Sequence, residues 1–258
     1  MLYGSKAQTL SHYLKTNGDS FEALVHSLFA AEEKIASENL DIQHRVANHF
    51  VPLLVAEFYP EKKPWMLTFN AFQSNLFHFA AVLHLIRRGM IGSTWPILRI
   101  IYEGLLFAKF CFSSRQTALY TRWLEGDSYL SVRRDILKKV KKPKTQELGV
   151  LWSVLCQPTH FSIYSGQPSI NPDHMPTTDV IGIYAMVFVL LALNENILRR
   201  QLLSRSALYY AERYGGSLTN SLKDDRDRMK HVTAILRQEL AGPGLKVIKE
   251  FTATWVLV

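Results

Sequence analysis

An all-α bundle is the fold class that three observations on this 258-residue chain predict. Apolar residues recur at helical rather than alternating spacing along nearly its whole length, and no Asn-Gly or Asp-Gly pair separates short β-branched runs. The third is composition: 48% apolar residues with 13 glycines and 10 prolines exclude a disordered, collagenous or low-complexity chain and leave enough material for a sizeable core. No internal repeat or linker divides it. The expectation is therefore one helical domain spanning residues 1–258, with 1–18 and 245–258 as weakly patterned ends.

Asp19 and Glu22 have the spacing of a capping box, so the first substantial helix is expected from Phe21 to about Ala36. A second should run from about Glu38 to Tyr59, bent at Pro52 and closed by Pro60 and Pro64. Trp65 to Arg88 reads as a long helix ended by Gly89. Ser93 or Thr94 is placed to cap the next, from Trp95-Pro96 to about Phe112, which makes a central αα-hairpin. A further helix is expected from about Gln116 to Val140, and a short one from Thr145 to Cys156. Pro158 to Pro176 carries four prolines among Asn, Asp, Gly, Ser and Thr and reads as an ordered loop. Two long helices follow, about Thr178 to Tyr214 and Leu218 to Ala241, separated by Gly215-Gly216.

The longest uncharged apolar run, Val180 to Leu193, stops at Asn194-Glu195-Asn196, short of the roughly eighteen residues a membrane span needs. It is read as a buried core helix. Cys111 and Cys156 each lie in an apolar run without a Cys or His at metal-ligand spacing, as buried free thiols of a reducing cytoplasm would. The first residues lack a basic segment followed by an apolar stretch, so secretion is not expected.

Lys and Arg number 30 against 22 Asp and Glu, a formal charge of +8 that speaks to partners rather than to fold. The densest part, Arg133 to Lys144, holds seven cations and one anion. Ile136, Leu137 and Val140 have helical spacing within it, so Arg133, Arg134, Lys138, Lys139, Lys141 and Lys142 are expected on the basic face of an amphipathic helix end stopped by Pro143. That face is either plainly solvated or a dock for the phosphates of RNA.

Arg99 and Glu103 are four residues apart on a helix that is apolar almost all round. Both are expected to be enclosed, bonded to each other and to Tyr102 or to the polar stripe Asn70, Ser74, His78 of the preceding helix. Such a pair fixes helix packing or lines a pocket. His160, at the junction between a short helix and the Pro-rich loop, is an acid-base group or an anchor for the loop. Facing Arg99 and Glu103, it would complete a carboxylate-oriented imidazole beside a cation able to hold a phosphate or oxyanion, a candidate catalytic set.

The stretches Leu83-His-Leu-Ile-Arg-Arg-Gly89, Leu98-Arg-Ile-Ile-Tyr-Glu-Gly104 and Leu151-Trp-Ser-Val-Leu-Cys-Gln-Pro-Thr-His160 resemble a domain-of-unknown-function family of helical bacterial proteins. Its pattern is a long helix, a Gly-containing turn, an Arg-x-x-x-Glu helix and a His-bearing segment. The resemblance spans roughly residues 65–165 and implies the helical fold, with no established activity. Arg226-Asp-Arg-Met-Lys-His231 resembles the Arg-x(4 to 6)-His motif of HEPN nucleases. That resemblance implies metal-independent RNA cleavage at a dimer interface, with Arg226 and His231 as an alternative catalytic set. Met229, Val232, Ile235, Leu236 and Leu240 define the apolar stripe of that helix, and His231 lies about 130° from its centre, where only a dimer would enclose it.

His44 and His49, and His78 and His84, are not spaced to share a metal, and no Glu-x-x-His pair, Walker loop, dinucleotide fingerprint, nucleophile elbow or Cys-x-x-Cys motif is present. No metal and no cofactor are expected. Two functions remain: a cytoplasmic bacterial protein acting on nucleic acid, as an RNase of a defence or toxin system at the finest reading, and a non-catalytic helical interaction module.

Overall fold

The computed structural model describes residues 10–57, 63–114, 118, 119, 122, 125, 126, 131–138, 144–156, 177–198, 227 and 234. These form an all-α bundle: α1 (Leu10–Glu57), α2 (Lys63–Arg87), α3 (Ile91–Ser114), a π-helix (Val132–Leu137), α4 (Lys144–Cys156) and α5 (Thr177–Ile197). No strand occurs among the described residues.

Helices α2 and α3 form the expected central hairpin. Its turn is a Schellman motif, in which the Met90 N–H donates to the Leu85 carbonyl at 2.9 Å and the Gly89 N–H to the Ile86 carbonyl at 3.0 Å. Gly89 takes φ +71°, and a Cβ there would lie 2.9 Å from Cγ of the fully buried Phe21. The turn thus needs glycine twice over, for its dihedral and for the closeness of α1. Helix α3 begins at Ile91, earlier than the expected start at Trp95. Thr94 does not cap it: its hydroxyl donates to the Ile91 carbonyl at 2.6 Å, and Pro96 lies inside the helix.

Helix α1 is continuous where a break at Ser37 was expected. Lys34 and Glu38 pair across that place at 3.9 Å, and no glycine or proline lies between them. The backbone departs from helical dihedrals at Phe29 instead (φ −129°, ψ 24°), and not at Pro52. Ser27 donates its hydroxyl back to the Leu24 carbonyl one turn before that bend, a bond that bends helices. Phe29 itself is buried with its ring centroid 5.7 Å from that of Tyr184 on α5.

The run from Val180 is a buried core helix, as expected. Val187 to Leu191 are consecutive buried residues on α5, which packs on α1, α2 and α3. Helix α3 also contacts α4 and the π-helix, so the hairpin lies at the centre of the bundle. The core gathers Phe21, Phe72, Phe79, Ile86, Leu98, Ile101, Tyr102 and Tyr184, each fully enclosed.

The long helix expected from Gln116 to Val140 is interrupted. Glu125 and Gly126 form a turn, with Gly126 at φ +69°, and Ser131 is extended before the π-helix begins. Arg122 and Asp135 would stand roughly 20 Å apart along one helix, yet their side chains come within 3.8 Å. The chain folds back on itself here. The loop at Pro158 to Pro176 and nearly all of the helix expected from Leu218 lie outside the described residues.

Replacing Gly89 by alanine is expected to destabilise the fold by about 2–3 kcal/mol, since it forces a side chain into the left-handed region and against Phe21. Chemical denaturation of the two proteins checks this through the shift in midpoint at unchanged slope.

Candidate functional site

Arg99 and Glu103 do pair: the Arg99 Nε–H donates to Glu103 Oε1 at 2.9 Å. The expected enclosure is corrected, because both side chains keep 29% of their surface accessible. The partner is also different. Asn70 and Ser74 face solvent, and it is Trp152 of α4 whose Nε1–H donates to the same Oε1 at 3.2 Å. The Arg99 guanidinium lies over that indole, 5.6 Å from its centroid. The result is a clasp between α3 and α4, with charge balanced within the pair. Sequence spacing revealed the pair but not the third member, since nothing local to α3 announces a tryptophan 49 positions on.

Cys156, buried and in no disulfide, lies close to this clasp. Burial pushes its thiol up, Arg99 pulls it down and Glu103 pushes it up again, the net being a thiol that stays protonated at neutral pH. Tyr102 is enclosed and its phenol is pushed well above its ordinary range by burial. Burial also lowers the pKa of His78, whose Nδ1 has no hydrogen-bond partner among the described residues. His160 lies outside the described residues, as do Arg226 and His231.

The polar centre of the core was missed by the sequence reading. Asn194 donates from Nδ2 to Gln43 Oε1 at 2.9 Å, and its Oδ1 accepts from Asn75 Nδ2 at 3.3 Å. Gln43 Nε2 donates in turn to Asn39 Oδ1 and, at 3.2 Å, to the Leu191 carbonyl. These four amides are all buried and tie α1, α2 and α5 together. A signal existed: Asn75 stands among Ala71, Phe72, Leu76 and Phe79 at core spacing, so the polar stripe that matters is offset by one residue from Ser74. The amides are neutral and mutually bonded, which makes them structural.

The basic segment is amphipathic as expected, on a π-helix in place of an α-helix end. Val132, Asp135, Ile136 and Leu137 of the π-helix are buried, whereas Arg133, Arg134 and Lys138 are exposed. The Lys138 N–H donates five residues back to the Arg133 carbonyl at 3.1 Å. Asp135 is the anchor. Its Oδ2 accepts from the Ser131 backbone N–H at 2.8 Å and from Arg134 Nη2 at 2.9 Å, while Oδ1 accepts from Arg134 Nε at 3.3 Å and lies 3.8 Å from Arg122 Nη1. Burial acts to raise the Asp135 carboxyl, but the Ser131 N–H, the Arg134 guanidinium and Arg122 together outweigh it and hold it below the usual range. Lys139, Lys141 and Lys142 lie outside the described residues. The sequence shows this one anion among the cations but nothing local announces that it anchors them.

Among the described residues no group of three or more His, Cys, Asp or Glu side chains gathers as a metal site, and no helix is long and apolar enough to cross a membrane. Comparison with family models, with curated proteins and with solved structures returns no match.

Two outcomes follow for stability. Asn194→Ala should cost about 3 kcal/mol by leaving Gln43 and Asn75 with unpaired buried groups, whereas Glu103→Ala at the half-open clasp should cost about 1 kcal/mol or less. Urea titrations of both variants measure the contrast. For Asp135 the native carboxyl titrates below its unfolded value, so its contribution is fully present above about pH 4 and is lost as pH falls through the native value. The stability advantage of wild type over Asp135→Asn should therefore shrink in melts taken at successively lower pH below about 4.

Proposed function

We propose that this protein binds the phosphate backbone of RNA through the basic segment on the π-helix. The observation that carries the reading is the segment's division into two faces, with Val132, Asp135, Ile136 and Leu137 seated in the core and Arg133, Arg134 and Lys138 held outward. A cation on an anchored backbone loses less freedom on meeting a phosphate than one on a loose tail. The net charge of +8 adds long-range attraction for a polyanion. Arg99, by contrast, is already matched by Glu103 and covered on one face by Trp152. That clasp is assigned to helix packing. A cytoplasmic location goes with this reading, since RNA and a Cys156 thiol outside any disulfide both suit a reducing compartment.

Cleavage of the bound RNA is the finer form of the proposal. It rests on the HEPN-like Arg226 and His231, acting in a homodimer, with the imidazole as proton acceptor for a 2′-hydroxyl and the guanidinium on the phosphorane.

Binding is tested with a fluorescent single-stranded RNA across a salt series. With about four phosphate contacts, affinity should fall roughly fiftyfold between 50 and 200 mM salt. Arg133→Glu combined with Lys138→Glu should weaken binding at least tenfold at unchanged melting temperature. Salt-insensitive binding, or no binding at low salt, overturns the proposal. The same RNA incubated with chelator tests cleavage: products that vanish in Arg226→Ala and His231→Ala support the nuclease, and intact RNA with wild type removes it.

A further inference from the structure

Tyr184 of α5 is 2% exposed, with its ring packed on Phe29 at the bend of α1 and, at 6.3 Å between centroids, on Phe188. Its hydroxyl is enclosed too, yet it meets no hydrogen-bond partner among the described residues. A hydroxyl buried in that way costs stability, and protein interiors answer it with a protein group or with a bound water.

Charged groups close the place around it. Glu33 lies one turn beyond Phe29 and pairs with Arg87 of α2, while His26 Nδ1 is 3.8 Å from its other oxygen. Arg88 bonds Asp19 at 2.6 Å and reaches Glu22 at 3.4 Å, on the other side of the bend. Consecutive arginines thus grip both limbs of α1 and hold the bend against α5. Burial pushes the Tyr184 phenol up, and the Glu33 carboxylate adds to this while Arg87 opposes it, so the hydroxyl feels both members of the pair and keeps its proton. It is a donor in search of an acceptor. The Glu33 carboxylate, 14% exposed, has lone pairs to spare after Arg87 has taken one. What joins the two must accept from a phenol, donate to a carboxylate and be small and neutral, because Arg87 already balances Glu33. Water meets all four conditions. The bend has no proline or glycine within a turn of Phe29, and an inserted water is one of the few recurring causes of such kinks.

We infer that one water molecule is bound at the bend of α1, accepting a hydrogen bond from the Tyr184 hydroxyl and donating one to the Glu33 carboxylate. It links α5 to α1, and through Arg87 to α2, at the hairpin-turn end of the bundle. The four buried amides join the same three helices about 15 Å further along α5. This water site is independent of the RNA reading.

A crystal structure of the full chain tests it directly. An isolated density peak is expected within about 3 Å of Tyr184 Oη and of a Glu33 carboxylate oxygen. A Tyr184 hydroxyl bonded straight to a protein group, or with no density against it, overturns the site. Stability gives a second reading in which the two cases have opposite signs. An orphaned hydroxyl is a burden, so its removal in Tyr184→Phe would leave the melting temperature unchanged or raise it. A water-bridged hydroxyl is an asset, and the same change should lower the melting temperature by about 2–4 °C. In a Glu33→Met background the water has lost its acceptor at little change in side-chain volume, and Tyr184→Phe should then cost about half as much or less. No loss in the wild-type background, or an equal loss in both, overturns the bridge. Should Glu33→Met fail to fold, the density and the Tyr184→Phe melt decide.

Discussion

Four side-chain amides in the middle of an apolar bundle constrain everything around them. Each amide removed from water without a partner costs about 1–3 kcal/mol, so Gln43, Asn75 and Asn194 must meet across three helices or the core does not close. Sliding α1, α2 or α5 by one turn would exchange those meetings for unpaired groups at several places at once. Apolar side chains alone tolerate such slips, because one leucine substitutes for another. The amides therefore set the register of the bundle, a role like that of a single polar residue in a helical core. Gly104 of α3 belongs to the same constraint: a Cβ there would lie 3.3 Å from Asn75 Oδ1, so α3 comes close to the amide that reaches Asn194.

With α3 fixed against α2 and α5, its remaining contacts place the polar features. Arg99 and Glu103 meet α4 through Trp152, and the π-helix contacts both α3 and α4. A sequence of dependence runs from the interior outwards. Neutral amides set the inner helices, a charge-balanced clasp sets α4, and the buried side of the π-helix then presents its arginines at the surface.

How much of this was legible in the sequence follows from the range of the forces involved. The hairpin was, because its signals are local: the apolar spacing of α2, a glycine forced into positive φ at the turn, and the apolar spacing of α3. The bend in α1 was not, since Phe29 and Ser27 carry no breaker signal and Phe29 seats on Tyr184, 155 positions away. Arg99 and Glu103 were recognisable as a pair because four residues on a helix guarantee a shared face, but their degree of exposure depends on how far α4 covers them. The expectation of full burial treated an apolar helix as an enclosed one. Likewise, the long helix through Gly126 was expected from apolar spacing that continues past the turn. Spacing survives a fold-back when both arms bury one face, so periodicity alone does not distinguish a straight helix from a folded one.

Two Arg-containing arrangements are candidates for the proposed phosphate site, and the burial of their carboxylates separates them. Arg99 has Glu103 at 2.9 Å and an indole against its face, so taking a phosphate would require giving up both, with the Glu103 carboxylate repelling the incoming anion. At the π-helix Arg134 is bonded to Asp135 just as closely, at 2.9 and 3.3 Å, but that carboxylate is 8% exposed against 29% for Glu103 and accepts from the Ser131 N–H as well. An anion approaching from solvent meets guanidinium first. On the proposed RNA-binding reading, the deeper burial of its carboxylate, more than the number of its cations, favours the π-helix over the clasp as the phosphate surface.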